Sequence, residues 1–128
     1  MNLRYRVWIP ALLIGMALSA GCARESAQVS YSKDVAPLLE KYCQACHVPG
    51  QLGYESSGFE VKDHDSLMKG TKYGAVILAG EPMTSALIML IEGRADPSIK
   101  MPHAGAPQMS ASEIETIHRW VEQGAKNN

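Results

Sequence analysis

Cys43-Gln44-Ala45-Cys46-His47 decides the reading of this chain. Two thiols three positions apart, with an imidazole immediately after, form the pattern of covalent haem attachment. Each residue type has a chemical task. The two sulfurs form thioethers with the two vinyl groups of a haem, and the two-residue spacer lets both reach one porphyrin edge. The adjacent His47 then lies under the iron as its proximal ligand. The pattern therefore predicts one covalent haem c held by Cys43 and Cys46, and the chemistry of the protein is then that of its iron.

Two other chemistries use a Cys-x-x-Cys. A redox dithiol sits beside a βαβ pattern, which this sequence lacks. A structural zinc needs four ligands. His64, His103 and His118 are scattered, and no second pair of cysteines exists.

Upstream of the motif the chain reads as an export signal. Arg4 and Arg6 supply the positive charge, residues 7–18 are apolar apart from Pro10 and Gly15, and Ser19-Ala20-Gly21 are small. The apolar run is short for a membrane span, which takes about 20 residues. The alternative is a retained N-terminal anchor helix. Cys22 follows directly, and a polar stretch with Arg24, Glu25, Ser26, Gln28 and Ser30 comes after it. This resembles a bacterial lipoprotein signal, in which the cysteine becomes the lipidated first residue. The resemblance departs in one place: the leucine usual three positions before the cysteine is Ser19 here, with Leu18 one further back. Cys22 is also the one cysteine that haem does not use, and an odd thiol in an exported chain needs an explanation. Several acyl chains would hold the protein firmly at a membrane surface, where one would be marginal. Ordinary cleavage would instead leave a soluble periplasmic protein with a free thiol. The expected organisation is a signal peptide at 1–21, a polar tether at 22–30 and one small domain at 31–128.

Loss of Arg4 and Arg6 leaves ten Lys and Arg against thirteen Asp and Glu, a formal net charge of −3. A mildly acidic chain gives no case for nucleic acid. About 100 residues make one small domain with a thin core, so a buried haem would supply much of its apolar contact.

The pattern along 31–128 is helical. Val35, Leu38, Leu39 and Tyr42 fall on one face, which predicts a helix that starts near Ser32 or Asp34, keeps Pro37 in its first turn and runs into Cys43. Residues 47–62 read as loop, with turn signals at Pro49-Gly50, Gly53 and Ser56-Ser57-Gly58. A short helix at 65–69 is expected, capped by Asp63 or Asp65 and stopped at Gly70. Val76-Ile77-Leu78 is ambiguous. Residues 86–91 are apolar all round; a cap at Thr84 or Ser85 and a stop at Gly93 favour a buried helix over a strand. Ser110 and Glu113 form a capping box for a last helix. Ile114, Ile117, Trp120 and Val121 line one face of it, Gly124 fits its stop, and packing on the first helix is its expected role.

The sixth position on the iron decides function. A strong ligand gives an electron carrier, and an open site permits gas or peroxide chemistry. Met101, in Ile99-Lys100-Met101-Pro102, lies in a Pro- and Gly-rich loop before the last helix. Its thioether would favour the reduced iron and raise the potential. Met109 and His103 are rivals, and Met101 can also be read as an ordinary gap-filling methionine.

Residues 31–125 resemble the single-haem c-type cytochrome domains of bacteria. The matching pieces occur in order: Tyr31-Ser-Lys-Asp-Val-Ala-Pro-Leu-Leu before the motif, Ser66-Leu-Met-Lys-Gly and Gly80-Glu-Pro with Ser85-Ala-Leu in the middle, then Lys100-Met-Pro, Met109-Ser-Ala-Ser-Glu-Ile and Trp120-Val-Glu-Gln-Gly-Ala. The resemblance implies an all-α cytochrome c fold of about four short helices around one haem, with the terminal helices crossing. It also implies that the methionine of the Met-Pro pair, Met101, is the distal ligand. The family often has Pro-Pro after that methionine, whereas Pro102-His103 stands here. For His47, a backbone carbonyl near Pro49 is the expected partner of Nδ1–H. Arg94, Lys72, Tyr73 and Lys100 are candidates for the haem propionates.

The expected function is periplasmic electron transfer between redox partner proteins, with a lipid anchor at Cys22, no nucleic acid and no small-molecule substrate. No pair of carboxylates and no His/Arg constellation suggests an enzyme. The alternatives are a haem enzyme subunit or gas sensor with a labile sixth site, or a small subunit docked on a larger oxidoreductase.

Overall fold

The computed structural model describes residues 27–128, so the expected signal peptide and Cys22 lie outside the described residues. Ser30 starts the first helix by accepting the Lys33 backbone N–H on its hydroxyl at 3.3 Å. From there one continuous helix, α1, runs over 31–44, one residue ahead of the earliest expected start at Ser32. Pro37 consequently sits well inside α1 and not in its first turn. Proline has no N–H, and its ring crowds the carbonyl four residues back. The turn before it, Tyr31–Val35, is wound wider. There the Val35 N–H donates to Ser30 O at 3.3 Å and the Ala36 N–H to Tyr31 O. This shift by one residue accommodates the missing donor. Ala36–Leu39 is regular α-helix, and the last turn, Glu40–Gln44, widens again.

Four further helices follow: α2 at Leu52–Ser57, α3 at His64–Lys69, α4 at Ala86–Ile91 and α5 at Ala111–Glu122. A 3₁₀ turn, Pro97–Ile99, precedes the Met101 loop. The described residues hold no strand, only a single bridge between Thr71 and Gly74. The fold is all-α, as expected. The unforeseen element is α2, which lies in the segment expected to be loop. Its start has no side-chain cap, but Glu55 reaches back to the Gly50 N–H at 3.0 Å, and Gly58 ends it in the left-handed conformation at φ 73°.

α3 begins with a capping box between Asp63 and Ser66. Ser85 precedes α4 at the cap position, but its buried hydroxyl does not cap. It accepts the Leu78 N–H at 2.8 Å and donates to Glu81 O at 2.8 Å, closing the 78–85 loop on itself. The amide of the second helical residue is served instead by Val76 O, which accepts the Leu87 N–H at 2.9 Å. The ambiguous run at 76–78 is therefore a loop that supports α4.

The core gathers Val35 and Leu39 from α1, Leu87, Ile88 and Ile91 from α4, and Ile117, Trp120 and Val121 from α5. Each such burial is worth about 1.5–3 kcal/mol. The terminal helices meet at two points. Tyr31 packs on Trp120 with ring centroids 5.5 Å apart. Tyr42 donates its hydroxyl to Glu113 at 2.9 Å, beside the Lys41–Glu113 ion pair at 3.3 Å. Residues 27–30, the end of the expected tether, also lie against α5: Val29 is buried, and its N–H donates to Gln123 Oε1 at 2.7 Å.

Candidate functional site

α1 carries Cys43 in its last turn, and the helical curl continues through the motif. The Cys46 N–H donates to Cys43 O at 3.1 Å and the His47 N–H to the same carbonyl at 3.0 Å. Positions i, i+3 and i+4 of such a curl share one side. Cys43, Cys46 and His47 thus stand together because of the helical geometry of the spacer.

Both thiols are free, Cys43 half-buried and Cys46 exposed. Burial, and then the neighbouring Cys46, push the Cys43 thiol up to about 11. A redox dithiol needs the opposite shift, since the thiolate is its nucleophile. No group of three or more His, Cys, Asp or Glu side chains able to hold a metal ion exists among the described residues, so those residues offer no ligand set for a zinc ion.

His47 is fixed from the segment that returns at 59–61. Phe59 O lies 3.3 Å from Nδ1, and the Phe59 ring meets the imidazole edge-on with centroids 5.4 Å apart. The Val61 N–H donates to His47 O at 2.7 Å, and Gln44 Nε2 donates to Val61 O at 3.3 Å. The expected carbonyl near Pro49 is not the partner. The chain turns away there, with the Gln51 N–H closing on Val48 O at 3.0 Å, and α2 intervenes before the backbone comes back.

α2 presses on the motif through Gly53. A Cβ at that position would lie 2.6 Å from Cys46 O and 3.0 Å from His47 Cε1. The adjacent Tyr54 N–H donates to Cys46 O at 3.1 Å. Burial lowers the pKa of His47, the Phe59 carbonyl opposes that shift, and the nearby His103 adds to it. Neutral imidazole with Nδ1–H turned to Phe59 leaves the Nε2 lone pair available as a ligand.

Met101 is half-buried and packs on the core, and its N–H donates to Leu90 O at 3.2 Å at the end of α4. Met109 is also half-buried against the core, while His103 is exposed. Leu38, Cys43, Met101, Met109 and Ile114 share one property: each packs on the core yet keeps part of its surface open.

The structure gives some of the propionate candidates neighbours of their own. Arg94 pairs with Glu92 and donates to Met83 O at 3.2 Å. The Lys72 ammonium lies over the Tyr73 ring, 5.2 Å from its centroid, and the Lys100 stem runs along Gly93.

Gly53, Phe59 and Val61 support the site and were not among the expected site residues. Gly53 read only as a turn signal. The alternation of apolar Phe59 and Val61 with Glu60 and Lys62 was the available hint of an extended backbone able to pair.

No helix of the described residues is long and apolar enough to cross a membrane. No curated protein and no solved structure matches the chain. Residues 43–105 match the family described as planctomycete cytochrome C, a span that opens on Cys43 and includes Met101. With the motif, the His47 geometry and the all-α fold, this identifies the chain as carrying a c-type cytochrome domain, which implies covalent haem c and a haem-based role in electron transfer.

Proposed function

We propose that the chain is a monohaem electron carrier. Cys43 and Cys46 would hold the haem through thioethers, and His47 Nε2 and the Met101 thioether would be the two protein ligands of its iron. The observation that carries this reading is the His47 ring: Phe59 O lies 3.3 Å from Nδ1, which turns Nε2 to the ligand role, and both thiols of the motif stand on the same helical curl.

When bound, haem supplies one-electron cycling between Fe(III) and Fe(II), and Met/His ligation raises its potential. The residues of the chain do the rest. Phe59 O holds the His47 tautomer and the plane of the ring. Gly53 leaves room for that ring. Half-covered Leu38 and Ile114 give the cofactor an apolar seat that limits water. Electrons pass to redox partner proteins through a small, transient interface.

The pattern around Cys22 supports export to the periplasm and a lipid anchor at that residue. Replacement of Cys22 by Ser should move the protein from the membrane fraction to the soluble one.

The deciding experiment is an absorption spectrum of holoprotein made with haem-attachment machinery, in both oxidation states, with and without carbon monoxide. A low-spin spectrum with the weak far-red Met–Fe(III) band, unresponsive to carbon monoxide, is expected. A bis-histidine spectrum would transfer the distal role to His103. High-spin iron with prompt carbon monoxide binding would overturn the carrier reading in favour of catalysis or gas sensing.

A further inference from the structure

The loop that carries Met101 is joined to the body of the protein at few points. The Met101 N–H reaches Leu90 O at 3.2 Å. Beyond it, the described backbone of 102–109 makes one bond of its own, from the Ala106 N–H to His103 O at 3.1 Å. One side chain gathers what remains. Gln108 Nε2 lies 3.2 Å from Pro102 O, 3.3 Å from His103 O and 3.0 Å from Ala106 O. An amide nitrogen has two hydrogens, so three carbonyls share two donors and the group is fully used.

The position of these carbonyls gives Gln108 its significance. Pro102 directly follows Met101 and is itself buried. At the other end of the loop, Met109 packs on the core and Ser110 caps α5. Gln108 thus fastens the turn behind the methionine to the anchored start of α5. The residue is exposed, and polar contact with loop carbonyls is all that the structure assigns to its side-chain amide.

We infer that Gln108 is the positioning residue of the distal ligand: its amide holds the 102–106 turn in the shape that presents the Met101 sulfur to the iron. The inference rests on the ligation by Met101 proposed above. Loss of the amide leaves the haem, its thioethers and His47 in place, but lets Met101 leave the iron more often.

The test uses the full-chain ferric holoprotein and imidazole, a ligand that must displace Met101. Its apparent affinity scales with the fraction of molecules whose sixth site is open. Gln108→Leu removes the donors without adding charge, and Gln108→Glu replaces them with an oxygen that repels the carbonyls. Both should bind imidazole about tenfold more tightly than wild type, the factor that corresponds to one or two neutral hydrogen bonds. Their far-red bands should weaken in parallel. Gln108→Lys, which restores N–H donors, should lie closer to wild type than either.

An imidazole affinity within twofold of wild type in both Gln108→Leu and Gln108→Glu, while Met101→Ala binds far more tightly, overturns this inference alone. A lowered melting temperature without a change in affinity also overturns it, because the residue would then be merely structural. An affinity in Met101→Ala equal to wild type overturns the ligation by Met101 and this inference together.

Discussion

The two sides of the candidate haem site are built differently. On the His47 side, the backbone of 43–47 is bonded within itself, to α2 through Tyr54 and to the returning segment through Val61, with Gly53 in direct contact. On the Met101 side, a loop is held by one backbone bond to α4 and by the side-chain amide of Gln108. Backbone bonds cannot be removed by a side-chain substitution, so the placement of His47 is buffered against sequence change. The placement of Met101 depends on replaceable groups. A carrier needs both properties: permanent attachment on one side, and a ligand strength that sequence can adjust on the other.

Deleting each proposed ligand breaks this comparison most strongly. His47→Ala should abolish the formation of normal holoprotein, measured as covalent haem per protein after expression with attachment machinery. Met101→Ala should retain full covalent haem yet lose the far-red band and bind carbon monoxide readily. If Met101→Ala lost haem as His47→Ala does, the two sides would not differ in kind.

A smaller effect separates packing from ligation. Gly53→Ala places a methyl group 2.6 Å from Cys46 O and 3.0 Å from the His47 ring. Both are held in place, so relief requires a backbone shift. Overpacking of this sort costs about 1–3 kcal/mol, or a fall in melting temperature of roughly 4–8 °C for each kcal/mol in a domain of this size. The proximal His47 signals in the paramagnetic NMR spectrum should move, whereas imidazole affinity should not. Equal stability of Gly53→Ala and wild type would show that α2 is free to move away from the motif.

What was legible in the sequence follows from range. The Cys43–His47 motif and the Ser110–Glu113 box are complete within five residues, so their chemistry is visible in the string itself. The pairing of His47 with Phe59 spans twelve residues, and α2 between them could not be foreseen: Gln51 is a poor cap and Gly53 a poor helix former. That helix is supported by its docking, through the Tyr54 N–H on Cys46 O and Glu55 on Gly50. Pro37 misled the placement of α1 because a widened turn can absorb a proline that a regular helix would exclude. Met101 stood out as a candidate through its Pro-rich loop and the family resemblance. Gln108 was not, since a glutamine shows no preference for loop carbonyls until the loop has folded around it.

The smallest expected effect lies where the two sides join. Glu113 caps α5, just beyond the distal loop, and accepts from Tyr42, the residue before Cys43. Hydrogen bonds from the Ser110 backbone and hydroxyl, then from Tyr42, hold its carboxyl down at about 2, below an ordinary value of 4.5. A depressed pKa in the folded state means that the ionised form is favoured by folding. Its contribution is therefore complete above about pH 4.5 and is lost as the pH falls from there through about 2. The carboxylate is partly open to water, which screens it, so the effect on melting temperature is small. The gap between wild type and Glu113→Gln should be present at pH 7 and close toward pH 2. Because the link joins the helices and not the ligands, the far-red band of Glu113→Gln should match wild type at neutral pH. A weakened band would instead mean that strain in the α1–α5 contact reaches Met101 through Ser110, and that the two sides are coupled and not merely adjacent.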